Sequence, residues 1–213
     1  MATTLIQPDA DSVVFVVDDD PDVRSGLKHL LESVGLGCIT FASVQDFLRS
    51  SPSGDSRCLI LDIRMPGING LDFQKELIEA RNKIPVIFIT GHGDIPMTVD
   101  AMKSGAVDFL TKPLREQDVL NAVGAALARD RKERRLDNEL SEMRRRYAML
   151  SEREREVMAH VIAGMMNKET AARIGLSEGT IKAHRHNLMR KMEAHSVADL
   201  VRIADTLGIG RSR

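Results

Sequence analysis

Charged residues follow short apolar runs at three separated places in the chain. Apolar runs of this length predict buried parallel strands, and the carboxyl ends of parallel strands meet at one edge of a sheet. A fourth run ends in the hydroxyl of Thr90. The four ends together would place carboxylates, an ammonium and a hydroxyl at one edge. The three charged places are Val14-Phe15-Val16-Val17-Asp18-Asp19-Asp20, Leu59-Ile60-Leu61-Asp62 and Asp108-Phe109-Leu110-Thr111-Lys112-Pro113.

This set of side chains suits the transfer of a phosphoryl group onto a carboxylate. The consecutive carboxylates of Asp18 and Asp19 repel each other unless a cation lies between them, and a partly hydrated Mg²⁺ with Asp62 as a third ligand fits that role. A small cation and fixed positive donors neutralise the charge on a moving phosphoryl group. Taken alone, Asp18-Asp19-Asp20 could equally be a solvated acidic loop before a helix.

The apolar pattern of the first half alternates between strands and helices. Val23, Leu27, Leu30, Leu31 and Val34 recur on one face of a helix that Gly35 would end. Five β/α units in succession predict an α/β fold with a doubly wound five-stranded parallel sheet. We expect strands near residues 13–17, 38–41, 58–62, 86–90 and 107–110, and helices near 43–49, 71–80, 95–104 and from about 116.

Length and charge indicate two domains with different partners. The chain has 213 residues, of which 43% are hydrophobic and 3% aromatic, and this length favours two domains. Residues 1–127 carry 11 Lys and Arg against 18 Asp and Glu, whereas residues 128–213 carry 19 against 13. An acidic first part and a basic second part favour a cation and a polyanion respectively. No apolar run is long enough for a signal peptide or a membrane span, so we expect a cytoplasmic protein.

A charged segment separates the two parts. Leu136, Leu140, Met143, Tyr147 and Leu150 are spaced as a heptad seam, although the seam does not continue back to Leu127. A solvated linker helix that packs nowhere is an equally good interpretation of this segment. We expect a domain at 1–127, a linker helix at 128–148 that continues the last helix of that domain, and a second domain at 149–213.

The last 63 residues show helical patterns only. Gly164, Gly175 and Ala194-His195 are breaks that leave four short helices, and Ser151 with Glu154 forms a capping box. The third helix should bury Ile181, Leu188 and Met192 and present a basic outer face. Such a face on the second helix of a helix-turn-helix offers donors to the major groove of DNA, although Lys and Arg also line ordinary solvated helices.

Several motifs of the first part resemble the receiver domain of response regulators. They are Asp18-Asp19, residues 62–70, Thr90-Gly91-His92-Gly93-Asp94 and residues 101–113. The resemblance implies the strand order 2-1-3-4-5, Asp62 as phosphoacceptor and Mg²⁺ bound by Asp18, Asp19, Asp62 and the carbonyl of Arg64. It also implies that Thr90 and Lys112 contact the phosphoryl oxygens, that Phe109 changes rotamer with the state of the site, and that the Lys112-Pro113 bond is cis.

Residues 149–213 resemble the LuxR-type DNA-binding domain. With the receiver, the chain is similar to the FixJ/NarL family of response regulators, and nearer FixJ through Thr90-Gly91-His92-Gly93-Asp94. The resemblance implies base contacts from Lys182, Ala183 and His186 and phosphate contacts from Thr180 and Arg185. It also implies dimerisation through the last helix, where the residues on one stripe are Val197, Leu200, Val201 and Ala204.

The resemblance implies a cytoplasmic two-component regulator that a sensor histidine kinase phosphorylates on Asp62. The regulator would bind double-stranded DNA as a homodimer, need Mg²⁺, and have no enzyme activity apart from its own phosphorylation and dephosphorylation. One alternative is a receiver-fold transcription factor that acts without phosphorylation. Another is a metal-dependent phosphatase with Asp18 as nucleophile, because Asp18-Asp19-Asp20 contains the Asp-x-Asp pattern of such enzymes.

Overall fold

The computed structural model describes residues 12–50, 56–91 and 95–209, with the side chains of residues 95–97 excepted. Contacts divide the chain into two compact units, Met1–Arg134 and Arg135–Arg213. Residues 92–94 of the motif after Thr90 lie outside the described part of the chain. No described helix has the length and apolar character needed to cross a membrane.

The first unit is built on a five-stranded parallel sheet. Its strands are β1 (Ser12–Val17), β2 (Gly37–Phe41), β3 (Ser56–Asp62), β4 (Val86–Thr90) and β5 (Asp108–Thr111). The order β2-β1-β3-β4-β5 confirms the predicted topology. The chain reverses its direction of winding between β1 and β3. In open α/β sheets, ligands bind outside the carboxyl ends of the strands at such a reversal.

Helices cover both faces of this sheet. They are α1 (Pro21–Ser33), α2 (Val44–Arg49), α3 (Gly70–Glu79), α4 (Ile95–Lys103) and α5 (Glu116–Ala148). One core holds buried residues of α1 and α5 against the sheet, including Leu27, Leu31 and Val123. The opposite core holds residues of α2, α3 and α4, including Phe47 and Phe73. Two apolar faces explain why β1 and β3 are continuous hydrophobic runs rather than alternating ones.

The predicted elements are present, with shifts of one or two residues at their ends. Strand β5 begins at Asp108 rather than at residue 107, although the Val107 amide already donates to the Val86 carbonyl at 2.8 Å. Helix α2 begins after Ser43 because the Ser43 hydroxyl caps it by accepting from the Asp46 amide. The predicted face of α1 is confirmed, and Gly35 follows the helix with φ of +79°.

Helix α5 is fixed to the amino end of β3 by one buried carboxylate. Asp130 is 4% exposed, and its Oδ2 accepts from the Arg57 amide at 2.8 Å and from the Arg134 Nε at 2.7 Å. The Ser56 hydroxyl donates to the Leu127 carbonyl at 3.2 Å. The strand that carries Asp62 at its carboxyl end is therefore tied to α5 at its amino end.

The second unit contains four short helices, as predicted from the breaks between them. They are α6 (Glu152–Ile162), α7 (Asn167–Ile174), α8 (Glu178–Met192) and α9 (Val197–Leu207), and they share one core with Leu150. The capping box is confirmed, since the Ser151 amide donates to Glu154 Oε2 at 2.8 Å and the Glu154 amide to Ser151 Oγ at 3.2 Å. Gly175 ends α7 in the left-handed conformation, with φ of +71°.

Candidate functional site

One lysine joins two carboxylates at the carboxyl ends of the strands. Lys112 Nζ donates to Asp18 Oδ2 at 2.8 Å and to Asp62 Oδ2 at 2.7 Å. Asp18 follows β1 and Asp62 ends β3, so the neighbouring strands bring these carboxylates together. Lys112 follows β5, where its amide donates to the Thr90 carbonyl at 2.8 Å and its bond to Pro113 is cis. The structure thus brings together residues that are up to 94 positions apart in the chain.

Backbone amides hold the remaining oxygens of the same two carboxylates. Asp18 Oδ1 accepts from the Asp20 amide at 2.8 Å, and Asp62 Oδ1 accepts from the Arg64 amide at 2.9 Å. Asp18 is 0% exposed and Asp62 is 5% exposed. Both side chains are therefore fixed in orientation, with their hydrogen bonds made inside the protein.

The site carries more negative than positive charge. Oxygen atoms of Asp18, Asp19 and Asp62 lie within 4.8 Å of one another, and Lys112 is the ammonium bonded to two of these carboxylates. Three carboxylates against one ammonium leave an excess of negative charge where two of the carboxylates are buried. A divalent cation with a preference for oxygen ligands offsets that excess, so the residues fit Mg²⁺. Asp19 is exposed, so the site is open on its side.

Burial and hydrogen bonding act in opposite directions on the ionisable groups of this site. Burial raises the pKa of Asp18 above its ordinary value, although the hydrogen bonds from Lys112 and the Asp20 amide lower it. Burial alone would lower the pKa of Lys112, but the hydrogen bonds to Asp18 and Asp62 outweigh it and the pKa is raised. Lys112 therefore stays an ammonium. A further positive charge near Asp18 would favour the ionised form of its carboxyl group.

The other predicted residues of this edge surround the carboxylates. Thr90 ends β4 and is fully buried, and β4 pairs with β3 through Asp62 and Ile89. Phe109 is partly buried against the core formed with α2, α3 and α4, opposite Phe88 in the sheet. Arg64 is exposed, and its backbone reaches Asp62 through the amide described above.

Gly70 lies behind Asp62, and its role there was not predicted from the sequence. A Cβ added to Gly70 would lie 2.6 Å from the carbonyl oxygen of Asp62, closer than Cβ atoms come to other heavy atoms in proteins. Gly70 also donates its amide to the Ile63 carbonyl at 3.0 Å, and Asn69 caps α3 just before it. The pair Asn69-Gly70 marks the start of a helix in the sequence, but the close approach to Asp62 depends on the fold.

Helix α8 of the second unit has the predicted two faces. Ile181, Leu188 and Met192 are buried in the core of the unit, which confirms the inner face. The outer face bears positive charge and no bulky apolar side chain. Its exposed residues include Lys182, Ala183, His186 and Arg190.

Three of the predicted DNA-binding side chains have partners within the unit. Lys182 Nζ lies 3.3 Å from Glu178 Oε1, and the Thr180 and Ser177 hydroxyls lie 2.8 Å apart. Arg185 is half-buried, and its Nη1 donates to Asn167 Oδ1 at 3.0 Å. Arg185 thus joins α8 to the first residue of α7. The spacing of Glu178 and Lys182 could have revealed the first pair, whereas the contact with Asn167 has no local signal in the sequence.

The stripe on α9 divides into buried and accessible residues. Leu200 and Ala204 are 0% and 1% exposed in the core of the second unit, and Val197 and Val201 pack only partly against it. The side chains of Leu200 and Ala204 have no surface to offer a second copy, because their own core encloses them. Of the four, Val197 and Val201 are therefore the candidates for dimer contacts.

Comparisons with protein families match both parts of the chain. Residues 14–124 match the response regulator receiver domain, and residues 148–204 match the bacterial regulatory proteins of the luxR family. Nodulation protein W of Bradyrhizobium diazoefficiens is 50% identical over 198 residues, covering 93% of this chain and 87% of that protein. Response regulator protein TodT of Pseudomonas putida is 47% identical over 199 residues, covering 93% of this chain and 88% of that protein.

Two solved structures align with most of this chain and over most of their own length. The response regulator StyR aligns with a TM-score of 0.85 and 42% identity, covering 92% of this chain and 98% of that one. Full-length FixJ from B. japonicum aligns with a TM-score of 0.55 and 37% identity, covering 93% of this chain and 98% of that one.

Proposed function

The chain belongs to the two-component response regulators that join a receiver domain to a LuxR-type DNA-binding domain, and from this membership we propose that Asp62 accepts a phosphoryl group from a sensor histidine kinase. The observation that carries the proposal is the bridge from Lys112 to both Asp18 and Asp62. For the boundaries we propose a receiver at 1–127, a linker helix at 128–148 and a DNA-binding domain at 149–213.

The proposed reaction exchanges one bond at phosphorus for another. An oxygen of the Asp62 carboxylate forms a bond to phosphorus while the bond from phosphorus to the kinase histidine nitrogen breaks, and that nitrogen keeps the electron pair. Asp18, Asp19, Asp62 and the carbonyl of Arg64 would hold Mg²⁺. The ion would supply positive charge to the phosphoryl oxygens. Lys112 supplies a second, fixed positive charge at the same place.

The phosphorylated site would have a different set of hydrogen bonds. Phosphorylation would replace the single negative charge of the Asp62 carboxylate by about two negative charges on the phosphoryl group. The ammonium of Lys112 would then turn to the phosphoryl oxygens, and the Thr90 hydroxyl would donate to them. Phe109, on the strand that leads to Lys112, is the residue that we propose to change rotamer. The same groups would support dephosphorylation by water. Apart from these reactions of Asp62, members of the family are typically transcription factors without enzyme activity.

The output is sequence-specific binding to double-stranded DNA. We propose that Lys182, Ala183 and His186 contact bases and that Thr180 and Arg185 contact phosphates, in a homodimer formed on phosphorylation. Two linked DNA-binding domains gain affinity for a two-fold site because the second domain binds at a high effective concentration. Chromosomal DNA and the kinase's phosphohistidine are both reached from the cytoplasm, which is the proposed location.

The structure gives the phosphatase alternative little support. That alternative needs a second carboxylate, Asp20, to exchange protons with substrate. The Asp20 carboxylate instead caps α1, where its Oδ1 accepts from the Asp22 amide at 2.9 Å. Asp18, the nucleophile in that alternative, is 0% exposed, whereas Asp62 is 5% exposed.

The test of the phosphoacceptor is chemical labelling. Acetyl phosphate with Mg²⁺ should add one phosphoryl group to the full-length protein, and Asp62→Asn should abolish the addition. Intact mass and peptide mapping measure both outcomes. Asp108→Asn is the matched control, because Asp108 lies in the same sheet and its Oδ1 accepts from the Phe109 amide away from the cluster. A phosphoryl group on Asp18 or Asp20 would overturn the assignment.

The test of the DNA face compares specific with random DNA. Lys182→Ala and His186→Ala should each weaken specific binding by about 1–3 kcal/mol and relax base preference. Arg185→Ala should weaken binding to all sequences more evenly. Asn167→Ala removes the contact of Arg185 with α7 and keeps the guanidinium, so it separates the phosphate contact of Arg185 from its structural contact. Equal losses on both kinds of DNA for Lys182→Ala and His186→Ala would contradict the base-reading assignment.

A further inference from the structure

The part of α5 that follows Asp130 carries an apolar stripe that the cores leave unused. Leu136, Leu140 and Met143 lie on one side of the helix, spaced by four and then three residues. Leu136 is 55% exposed, and Leu140 and Met143 are half-buried. Among the described residues, none of these three belongs to a hydrophobic core cluster. Tyr147 and Leu150, which continue the spacing, do pack in the core of the second unit.

The helix around this stripe is highly charged and supported by its own ion pairs. Arg135 Nε lies 2.9 Å from Glu139 Oε1, and Arg146 Nε lies 3.1 Å from Glu142 Oε1. Pairs of this kind stabilise an exposed helix by small amounts each. The segment therefore stays helical without a core, and an apolar stripe on such a helix fits a second helix.

The charges that flank the stripe are complementary to those of a second copy of the same helix. In heptad notation Leu136 and Met143 are d positions and Leu140 is an a position, which makes Lys132 and Glu139 g positions and Asp137 and Arg144 e positions. In a parallel, in-register pair each g residue faces the e residue five positions later on the other helix. Lys132 then meets Asp137 of the second copy, and Glu139 meets Arg144 of the second copy. Both contacts join opposite charges.

An antiparallel pair of the same helices would bring other residues together. In that arrangement a positions pack against d positions, so Leu140 would meet Met143 of the second copy and Leu136 would meet Tyr147, which already packs in the core of its own unit. The parallel pair also sends both chains out of the coil at the same end, which suits two DNA-binding domains on a two-fold site.

We propose that α5 pairs with α5 of a second copy as a short parallel coiled coil through Leu136, Leu140 and Met143, with register set by Glu139 and Arg144. Three apolar layers are too few to hold two chains together alone, so the coil adds to other contacts of the dimer rather than replacing them. The inference deepens the proposed homodimer and is independent of which residue accepts the phosphoryl group.

The first test places a cysteine in the seam of the full-length protein. Leu136→Cys should form a disulfide-linked dimer on mild oxidation, and beryllofluoride with Mg²⁺ should accelerate it if the receiver also dimerises. Ser141→Cys, on the outer side of the same helix, is the matched control and contains the same native cysteines. We expect dimer formation at least about fivefold faster for Leu136→Cys. Equal rates, or no linked dimer from Leu136→Cys with or without beryllofluoride, would overturn the proposal.

The second test uses the two flanking charges. In the Leu136→Cys background, Glu139→Arg and Arg144→Glu should each slow cross-linking about tenfold, because each places like charges opposite one another. A mixture of these two variants should cross-link as fast as the parent, since the introduced arginine of one chain then faces the introduced glutamate of the other. Restored cross-linking in the mixture identifies the partner as a second copy. A mixture that stays slow would show that the stripe contacts another part of the same chain or another protein.

Two measurements separate this inference from the proposed function. Arg135→Ala removes the intrahelical partner of Glu139 without changing the seam, so its cross-linking rate should stay within about twofold of the parent. A larger loss would mean that helix stability, and not pairing, controls the rate. Acetyl phosphate labelling of the same variants should be unchanged, which distinguishes failure of the coiled coil from failure of Asp62 as phosphoacceptor.

Discussion

Each unit of the protein contains a lysine 2.7 Å from a largely buried carboxylate. In the first unit Lys112 contacts Asp62, and in the second Lys191 contacts Glu154. Their surroundings differ in charge. Lys112 also faces Asp18, with Asp19 nearby, whereas Glu154 has Lys191 and the capping hydrogen bonds of Ser151. The first cluster has carboxylates in excess, and the second is balanced.

The direction of the pKa shifts follows this difference. Burial raises the pKa of Asp18, and the hydrogen bonds from Lys112 and the Asp20 amide do not fully offset it. Burial acts in the same direction on Glu154, but hydrogen bonds from Lys191 and Ser151 outweigh it and the pKa is lowered. The balanced pair needs no further ion. The unbalanced cluster of the same chemical groups is stabilised by a cation, whose charge can then offset that of a phosphoryl group.

The largest effect should come from removing each lysine. Lys191→Met leaves Glu154 buried without its cation and should cost about 2 kcal/mol, less than for a fully buried pair because the Lys191 side chain is 34% exposed. Lys112→Met should cost a similar amount without Mg²⁺ and recover with it, because the ion replaces the lost charge. Urea unfolding with peptide-resolved hydrogen exchange assigns each loss to its unit.

A surface lysine provides the control for that comparison. Lys28 lies 3.8 Å from Glu32 in an exposed pair, so Lys28→Met should cost less than about 0.5 kcal/mol in either condition. If Mg²⁺ restored Lys191→Met, or failed to restore Lys112→Met, the distinction between a balanced and an unbalanced cluster would be wrong.

The next effect concerns the affinity for Mg²⁺. Asp18→Asn should weaken binding at least about tenfold, or roughly 1.4 kcal/mol, since even outer partners of metal sites have effects of that size. Glu154→Gln should leave the affinity unchanged, because its cluster has no excess charge. Isothermal titration of each variant measures the difference. Unaltered affinity in Asp18→Asn would place the ion elsewhere.

The smallest effect concerns how stability depends on pH, for which Asp18 and Glu154 should have opposite signs. The folded state holds the Asp18 proton more tightly than the unfolded chain, so Asp18 lowers stability as pH rises above its ordinary value of 3.8. Glu154 behaves in the opposite way, because its pKa is lowered. It stabilises the fold above its ordinary value of 4.5, and this stability is lost as pH falls towards the lowered pKa.

The measurement is the unfolding midpoint of two variants across the acidic range, in EDTA. The unfolding midpoint of Asp18→Asn should rise relative to that of the parent as pH rises. The midpoint of Glu154→Gln should rise relative to that of the parent as pH falls. Curves of the same sign for both variants would contradict the comparison.

Much of the fold could be predicted because the deciding signals are local. The inner face of α8 follows from periodicity, and the ends of α2 and α6 follow from capping residues whose hydrogen bonds span three positions. Residues such as Asp130 could not be predicted in this way. Asp130 belongs to a charged run that resembles a solvated helix, and its burial depends on the Arg57 amide 73 positions away. Arg185 is similar, because its contact with Asn167 exists only after α7 and α8 pack.

Tyr147 gives the protein a native optical reporter at a useful place. The chain contains one tyrosine and no tryptophan, so all ultraviolet-excited emission above the phenylalanine background comes from this ring. The ring lies in the last turns of α5, packs against the core of the second unit and has the Arg155 guanidinium 5.4 Å from its centroid. A change in its emission or anisotropy when beryllofluoride binds at Asp62 would show, without any label, that binding in the first unit alters the surroundings of a residue in the second.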